Sequence, residues 1–593
     1  PRKLIDTVML ATLGHNADRS SGYEPTCLLF SIAALLRDSL QDPRFDEVRR
    51  YLGDDTRPGR RLALSTRLAE LFDQYLTYRP NTVLEWQAGA EQDFQAPLLR
   101  ALIAKHGPHH LAARAAETCA ALRARSEPLH ALPPRIHLFG LSSMPPVYLD
   151  LLGALGHSHD LHLFVLSPSQ EYFADLAPKP SARARTEHKG RKKVSSAQLQ
   201  LSFEDESFDR PAHPLLASLG RHAREFQALL EERLQYVEGG ADLYQDPGED
   251  CLLHVLQSDL LHLRQRGPVA EPRHLLPPDD DSLSIHACHG PMRELEVLHD
   301  QLSHLISSGK VEPHEILVMA PNISQYAKVI DAVFSQPPVQ RPQIPFRIAD
   351  RGVAETRPFF LSLAALLDLL QSRFGANQLL DLLGFDLIRD RFGITVDQVD
   401  DLRDWIKASE IRWGVDASHR AAEEQPECAE NTWEFGLSRL VLGYSTGHAP
   451  DALYRGISPA AMESGPGRSS SQLLGSFLEL CHTLFELKKS FASDATAAEW
   501  SARIEQLLDA VFAEHADAGE RRQLLVAARE LAEQAALAGY NEAFDLSALR
   551  SLLSRSLSAR VPAQGFLASG VTFCQLLPMR SIPFKVLCLV GLN

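Results

Sequence analysis

The sequence predicts an α/β protein with two parallel-sheet regions and large helical insertions. Three observations carry that prediction. Short runs such as EILVMAP (315–321), VTFCQLL (571–577) and VLCLVGL (586–592) are predominantly apolar. That pattern belongs to strands buried on both faces of a parallel sheet. Between and before them lie long tracts with apolar residues three and four apart, the helical period. Finally, 593 residues exceed what one core organises, and at roughly 100–200 residues per domain the chain divides into about three to five units.

Charge and cysteines narrow the class. Lys and Arg number 60 against 76 Asp and Glu, a net charge of −16, so the average surface repels phosphate backbones and any nucleic-acid contact must be local. Eight cysteines are scattered with no C-x-x-C pair, which fits reduced thiols in a cytoplasm better than a disulfide framework. No apolar run approaches the roughly 20 residues of a membrane span, so no membrane partner is expected. The chain opens at Pro1 and stops at Asn593 directly after a predicted strand, and it reads as a fragment lacking both ends.

The first region, 1–266, opens with helices: LLFSIAALLRDSL and LALSTRLAELFDQYL carry the helical spacing. Pro80 should end or interrupt the second, leaving Tyr75, Tyr78 and Arg79 near its exit. On that helix Leu71, Gln74 and Tyr78 share a face, flanked by Glu70 and Asp73. From pattern alone this is a packed helix with a solvated acidic edge. The segment 135–168 reads as strand, loop, helix and strand, a parallel α/β unit. Its first strand runs into Gly140, Leu141, Ser142 and Ser143 without a carboxylate. His157, His159 and His162, and later His286, Cys288 and His289, alternate as metal ligands sometimes do, but neither set has a complete ligand spacing. Residues from about 177 to 212 are poor in apolar side chains and carry a basic cluster, Arg183 to Lys193, the composition of a flexible insertion. The Pro-rich stretch 267–281 is the linker candidate.

A second sheet region is expected over 282–357, beginning with SLSIHACHG as a strand, then an amphipathic helix, then EILVMAP. A helical block follows over 358–563, and the sheet resumes over 564–593. Trp405, Trp413, Trp433 and Tyr444 in the block are candidates either for stacking on bases or for core anchors.

The last two strands flank the loop PMRSIPFK (578–585). Strand, loop and strand at this spacing resemble the T-x-H-x-x-K-G-L-E-[FW] segment of UvrD-like (superfamily 1) helicases, with Gln575, Leu577, Arg580, Ser581 and Pro583 at the Thr, His, Lys, Gly and Glu positions and Phe584 keeping the aromatic. The frame resembles a helicase whose reactive groups have been replaced. The wording of this loop, together with HPLLASLGRHAREF and NTWEFGLSRLVLGY, resembles the RecC family, the gamma subunit of exodeoxyribonuclease V. The resemblance implies two degenerate helicase-type domains and a noncatalytic DNA-binding subunit. Such a subunit splits double-stranded ends, channels the single strands and reads the hotspot Chi on the 3′ strand, beside RecB-type and RecD-type partners that use ATP and magnesium. It also implies DNA contacts at Leu71, Asp73, Gln74 and Arg79, with Glu70 where an Asp is usual and His110 near a family Arg. Amide, carboxylate and guanidinium groups suit base edges and phosphates.

The residues themselves supply no catalytic constellation. Ser308, Gly309 and Lys310 lack the glycine that opens a phosphate-binding loop. No H-e-x-x-H or G-x-S-x-G motif occurs, so no metal and no cofactor is expected in the chain itself. The alternative is an active ATP-dependent helicase, or an AddB-like helicase-nuclease subunit with its P-loop before Pro1.

Overall fold

A computed structural model describes residues 2–14, 22–53, 58–90, 93–125, 127–176, 213–237, 239, 243–266, 274–275, 277–335, 343–349, 357–446, 453–460, 469–513, 518–560, 570–576 and 582–592. The architecture is mixed α/β with parallel sheets and a majority of helix. Strands β1 (Arg135–Phe139) and β2 (Asp160–Phe164) pair in parallel, joined through the Pro146–Leu155 helix, since parallel neighbours need a crossover connection. Ile136, Leu138, Leu161 and Leu163 face a core that includes Phe226 and Leu152. The other face stays open: Phe139 stacks on Phe164 with ring centroids 4.2 Å apart, and both are exposed.

Four further strands, β3 (Ile316–Ala320), β4 (Phe346–Ile348), β5 (Val571–Gln575) and β6 (Val586–Leu589), form an all-parallel sheet in the order β4-β5-β3-β6. Every residue of β3 is buried, which accounts for the unbroken ILVMA run of a central strand. The predicted strand at 282–290 does not form. Those residues form no ladder, 282–283 and 289–290 are bends, and Ile285 is 90 % exposed. Alternation marks a chain able to be a strand, but hydrogen bonds to a neighbour make it one.

Helices dominate elsewhere. The largest apolar core takes residues from 23–112 and from 359–557 together, with Phe30 against Tyr540 and Phe359 against Phe512. Helices from opposite ends of the sequence thus share one interior, and the ion pair Arg37–Glu542 at 3.2 Å crosses the same seam. Trp433 and Trp500 are fully buried there, and their indole N–H groups donate to the carbonyls of Phe374 (2.8 Å) and Phe544 (2.9 Å). Trp405 is buried as well, whereas Tyr444 is half exposed. Trp413 carries the Arg420 guanidinium 4.6 Å from its ring centroid. The insertion at 177–212 lies outside the described residues, as does much of 267–281. No helix among the described residues is long and apolar enough to cross a membrane.

Candidate nucleic-acid interface

The predicted break at Pro80 occurs. One helix runs Pro58–Tyr78 and a second Pro80–Gln87, with Pro80 at its first position. Arg79 sits between them at φ −130°, ψ 51°, its N–H bonded to the Tyr75 carbonyl at 2.9 Å and its own carbonyl accepting from Val83 at 3.2 Å. The side chain turns outward, with its guanidinium 5.7 Å from the Tyr75 ring centroid. Tyr75 in turn meets Phe72 and Trp86 edge to face, with centroids 6.2 and 5.5 Å away. An aromatic row, buried at Phe72 and Trp86 and half-buried at Tyr75, therefore holds the bend and presents Arg79.

The sequence placed Leu71, Gln74 and Tyr78 on one face. Leu71 is half-buried at its edge, while Gln74, Tyr78 and Arg79 are exposed, and Asp73 is exposed beside them. Amide, phenol, carboxylate and guanidinium groups thus project from one bend, a set able to meet base edges and backbone phosphate together. Glu70 is used differently. Its carboxylate pairs with Arg555 at 2.9 Å and lies 3.5 Å from Arg67, tying this helix to the Leu546–Arg560 helix. Arg555 had no sequence signal, because its partner lies hundreds of residues away. Between the same two helices opens a cleft of about 510 Å³, lined by Thr66, Ser547 and Ser551 and by the carboxylates of Asp494 and Asp545.

His110 corrects the expectation of a surface contact. Its side chain is fully buried. Nδ1 accepts from the Ala113 amide at 3.3 Å, capping the Leu111–Arg123 helix, and Nε2 lies 2.8 Å from Gln87 Oε1. Tyr23 stands edge-on at 5.7 Å. Burial pushes its imidazole down to about 4, with the charge of His109 adding to the effect. A neutral ring with both nitrogens engaged inside the chain is a structural pin.

β1 ends at Phe139, Gly140 follows with φ +70°, and no carboxylate stands among 140–143. Gln575 ends β5 opposite Ala320, and Pro583 is exposed. Phe584 packs on the cluster of Leu317, Met319 and Cys574. Leu577, Arg580 and Ser581 lie outside the described residues. Glu294, on the Pro291–Ser307 helix, accepts the Tyr326 hydroxyl at 2.9 Å and the Gly591 amide at 2.8 Å.

The histidine sets are dispersed in role. His157 bonds the Gly153 carbonyl, and His162 stacks on His137 with centroids 4.8 Å apart. Among the described residues the one group of three ligand-type side chains lies elsewhere, at Asp250, Cys251 and His254. Its His254 Nδ1 is already 2.5 Å from Asp250 Oδ1.

The family model described as "RecC, N-terminal domain" matches residues 1–263, and that described as "RecBCD enzyme subunit RecC fourth domain" matches 356–561. The RecBCD enzyme subunit RecC of Escherichia coli (strain K12) is 32% identical over 97% of this chain and 54% of the relative. That of Haemophilus influenzae is 28% identical over 96% of the chain and 54% of the relative, and that of Mycolicibacterium smegmatis 31% over 100% and 53%. The chain spans about half the length of these curated relatives. Two RecC domain matches, together with relatives named RecC that align over nearly the full chain, show the family: the chain belongs to the RecC family.

Proposed function

We propose that the chain is a noncatalytic DNA-handling subunit of a RecBCD-type helicase and exonuclease in double-strand break repair. In this reading it divides the strands of a DNA end and guides the 3′-terminated strand past the bend at Arg79, where the hotspot Chi is read. RecB-type and RecD-type partners supply the motors, with their ATP and magnesium. The supporting observation is the exposed set Asp73, Gln74, Tyr78 and Arg79 held on a largely buried aromatic row, in a chain of which 97% aligns with about half of a RecC subunit. The face is neither charged alone nor apolar alone, so it suits a substrate with bases and phosphates together.

The finer reading is of two degenerate UvrD-like halves. An all-parallel four-stranded sheet interrupted by a helical block favours it. The noncatalytic reading draws on Glu294, whose oxygens are both spent on contacts within the chain, and on the Gly-Leu-Ser-Ser that follows β1. Without an acid at that strand end, magnesium and the attacking water lose their protein anchor.

Two measurements test this function. DNA-stimulated ATP hydrolysis should be absent from the isolated subunit and present in the assembled complex; turnover by the subunit alone would overturn the noncatalytic role. Gln74→Ala with Arg79→Ala should weaken single-strand binding and abolish hotspot-dependent switching. Intact switching in that variant would remove the bend from strand reading.

A further inference from the structure

We infer that a second cleft, in the 358–563 helical block, is a binding site for the phosphate backbone of single-stranded DNA. It has a volume of about 420 Å³ and opens between the Ala376–Leu382 helix and the end of the Gln398–Ala408 helix. Arg403, Lys407 and Arg412 line it, and no carboxylate does. In a chain carrying 76 acidic side chains against 60 basic ones, three cations around one concavity reverse the local field. The cleft lined by Thr66 and Ser551 shows the contrast, since Asp494 and Asp545 line that one against a single cation, Arg60.

The cations are available. Arg403 leans on Asp400 one turn earlier, an exposed pair of little energetic weight that a phosphate can displace. Among the described residues no acidic side chain pairs with Lys407 or Arg412, and both side chains are exposed. Arg403 and Lys407 stand four residues apart on one helix face, which puts their Cβ atoms about 5–6 Å apart. That row suits successive negative charges along one strand. Half-buried Leu380 and the exposed amide of Asn377 lie on the opposite wall, where a base can meet an apolar edge and a hydrogen-bonding group.

This site rests on the DNA-handling reading and adds a second contact to it, away from the bend at Arg79. Fluorescence anisotropy of a labelled oligo-dT with the full chain, over a range of salt, tests it. Lys407→Ala with Arg412→Ala should weaken binding several-fold and lower the slope of log affinity against log salt by about 1.4, at roughly 0.7 per phosphate released. The thermal melt should be unmoved, since both side chains are exposed. Unchanged affinity and slope, with binding still lost in Gln74→Ala/Arg79→Ala, would overturn the cleft and leave the proposed function standing. No oligonucleotide binding by the unmodified chain, alone or in complex with its partners, would overturn both. Loss of polyglutamate binding in the cleft variant with oligo-dT unaffected would overturn the DNA assignment in favour of an acidic protein segment.

Discussion

Tyr326 donates its hydroxyl hydrogen to Glu294 Oε2 at 2.9 Å, and this pair closes the end of the four-stranded sheet. Burial and the neighbouring carboxylate push the phenol up to about 12. Gly591, just past β6, gives its amide to the other Glu294 oxygen at 2.8 Å. Glu294 thus clamps the Pro291–Ser307 helix to the backbone just after β6.

Glu294→Ala should therefore act on stability. It leaves the Gly591 amide and the Tyr326 hydroxyl without their acceptor, at a cost of about 1–3 kcal/mol, read as a lower midpoint in urea unfolding. An acid that served a nucleotide would instead lower the turnover of the complex and leave that midpoint unchanged.

Gly591→Ala should damage the same clamp by a different route. The backbone there has φ +72°, and an added Cβ would lie 2.9 Å from the Tyr326 hydroxyl and 3.0 Å from its ring. Left-handed strain and the close approach together should cost about 1–3 kcal/mol, again measurable by urea unfolding.

His110 makes stability depend on pH. Its imidazole titrates at about 4 in the fold against 6.5 ordinarily. Above pH 6.5 neither state binds the proton and the contribution is constant. Between 6.5 and 4 the unfolded chain takes up the proton and the folded one does not, so stability falls as pH is lowered through that window. The full loss is about 3 kcal/mol, at 1.36 kcal/mol per unit. His110→Asn keeps a helix-capping side chain without the titration. Its urea-unfolding free energy should fall less than the parent's between pH 7 and pH 4.5.

Gly443→Ala should be among the costlier small substitutions in the helical block. A Cβ at that position would stand 2.0 Å from the Ala460 carbonyl oxygen. Because the obstacle is backbone, the Trp433–Thr446 helix must shift. We expect about 1–3 kcal/mol of destabilisation and a lower thermal midpoint.

Trp433→Ala removes a fully buried indole and orphans the Phe374 carbonyl that it bonds. The loss should be about 3–5 kcal/mol. Oligonucleotide affinity per folded molecule should not change; a selective loss of affinity would return this residue to a stacking role.

What the sequence revealed, and what it hid, follows from the reach of each signal. Pro80 broke its helix as local chemistry requires, and ILVMA became the central strand because a both-faces-buried strand writes itself as an unbroken apolar run. The unit from β1 to β2 was legible for the same reason. SLSIHACHG misled, since its alternation says nothing of whether a neighbouring strand is there to pair. The burial of His110 is set by Tyr23 and Gln87, and the use of Glu70 by Arg555, and no local pattern encodes such distant partners. The helical period likewise marked which face of each helix is apolar without saying that 23–112 and 359–557 close on one another. At the bend, the spacing of Leu71, Gln74 and Tyr78 predicted a shared face, but only the Phe72, Tyr75 and Trp86 packing explains why Arg79 points away from the core.

The strand order β4-β5-β3-β6 also sets a timetable for synthesis. β3 is flanked by β5 and β6, which leave the ribosome about 250 residues after it. At about 5–20 residues per second, that interval is roughly 10–50 s. For that long the most apolar strand of the sheet has neither neighbour, and the nascent chain depends on chaperones or on early burial by its own helices to keep that strand from aggregating.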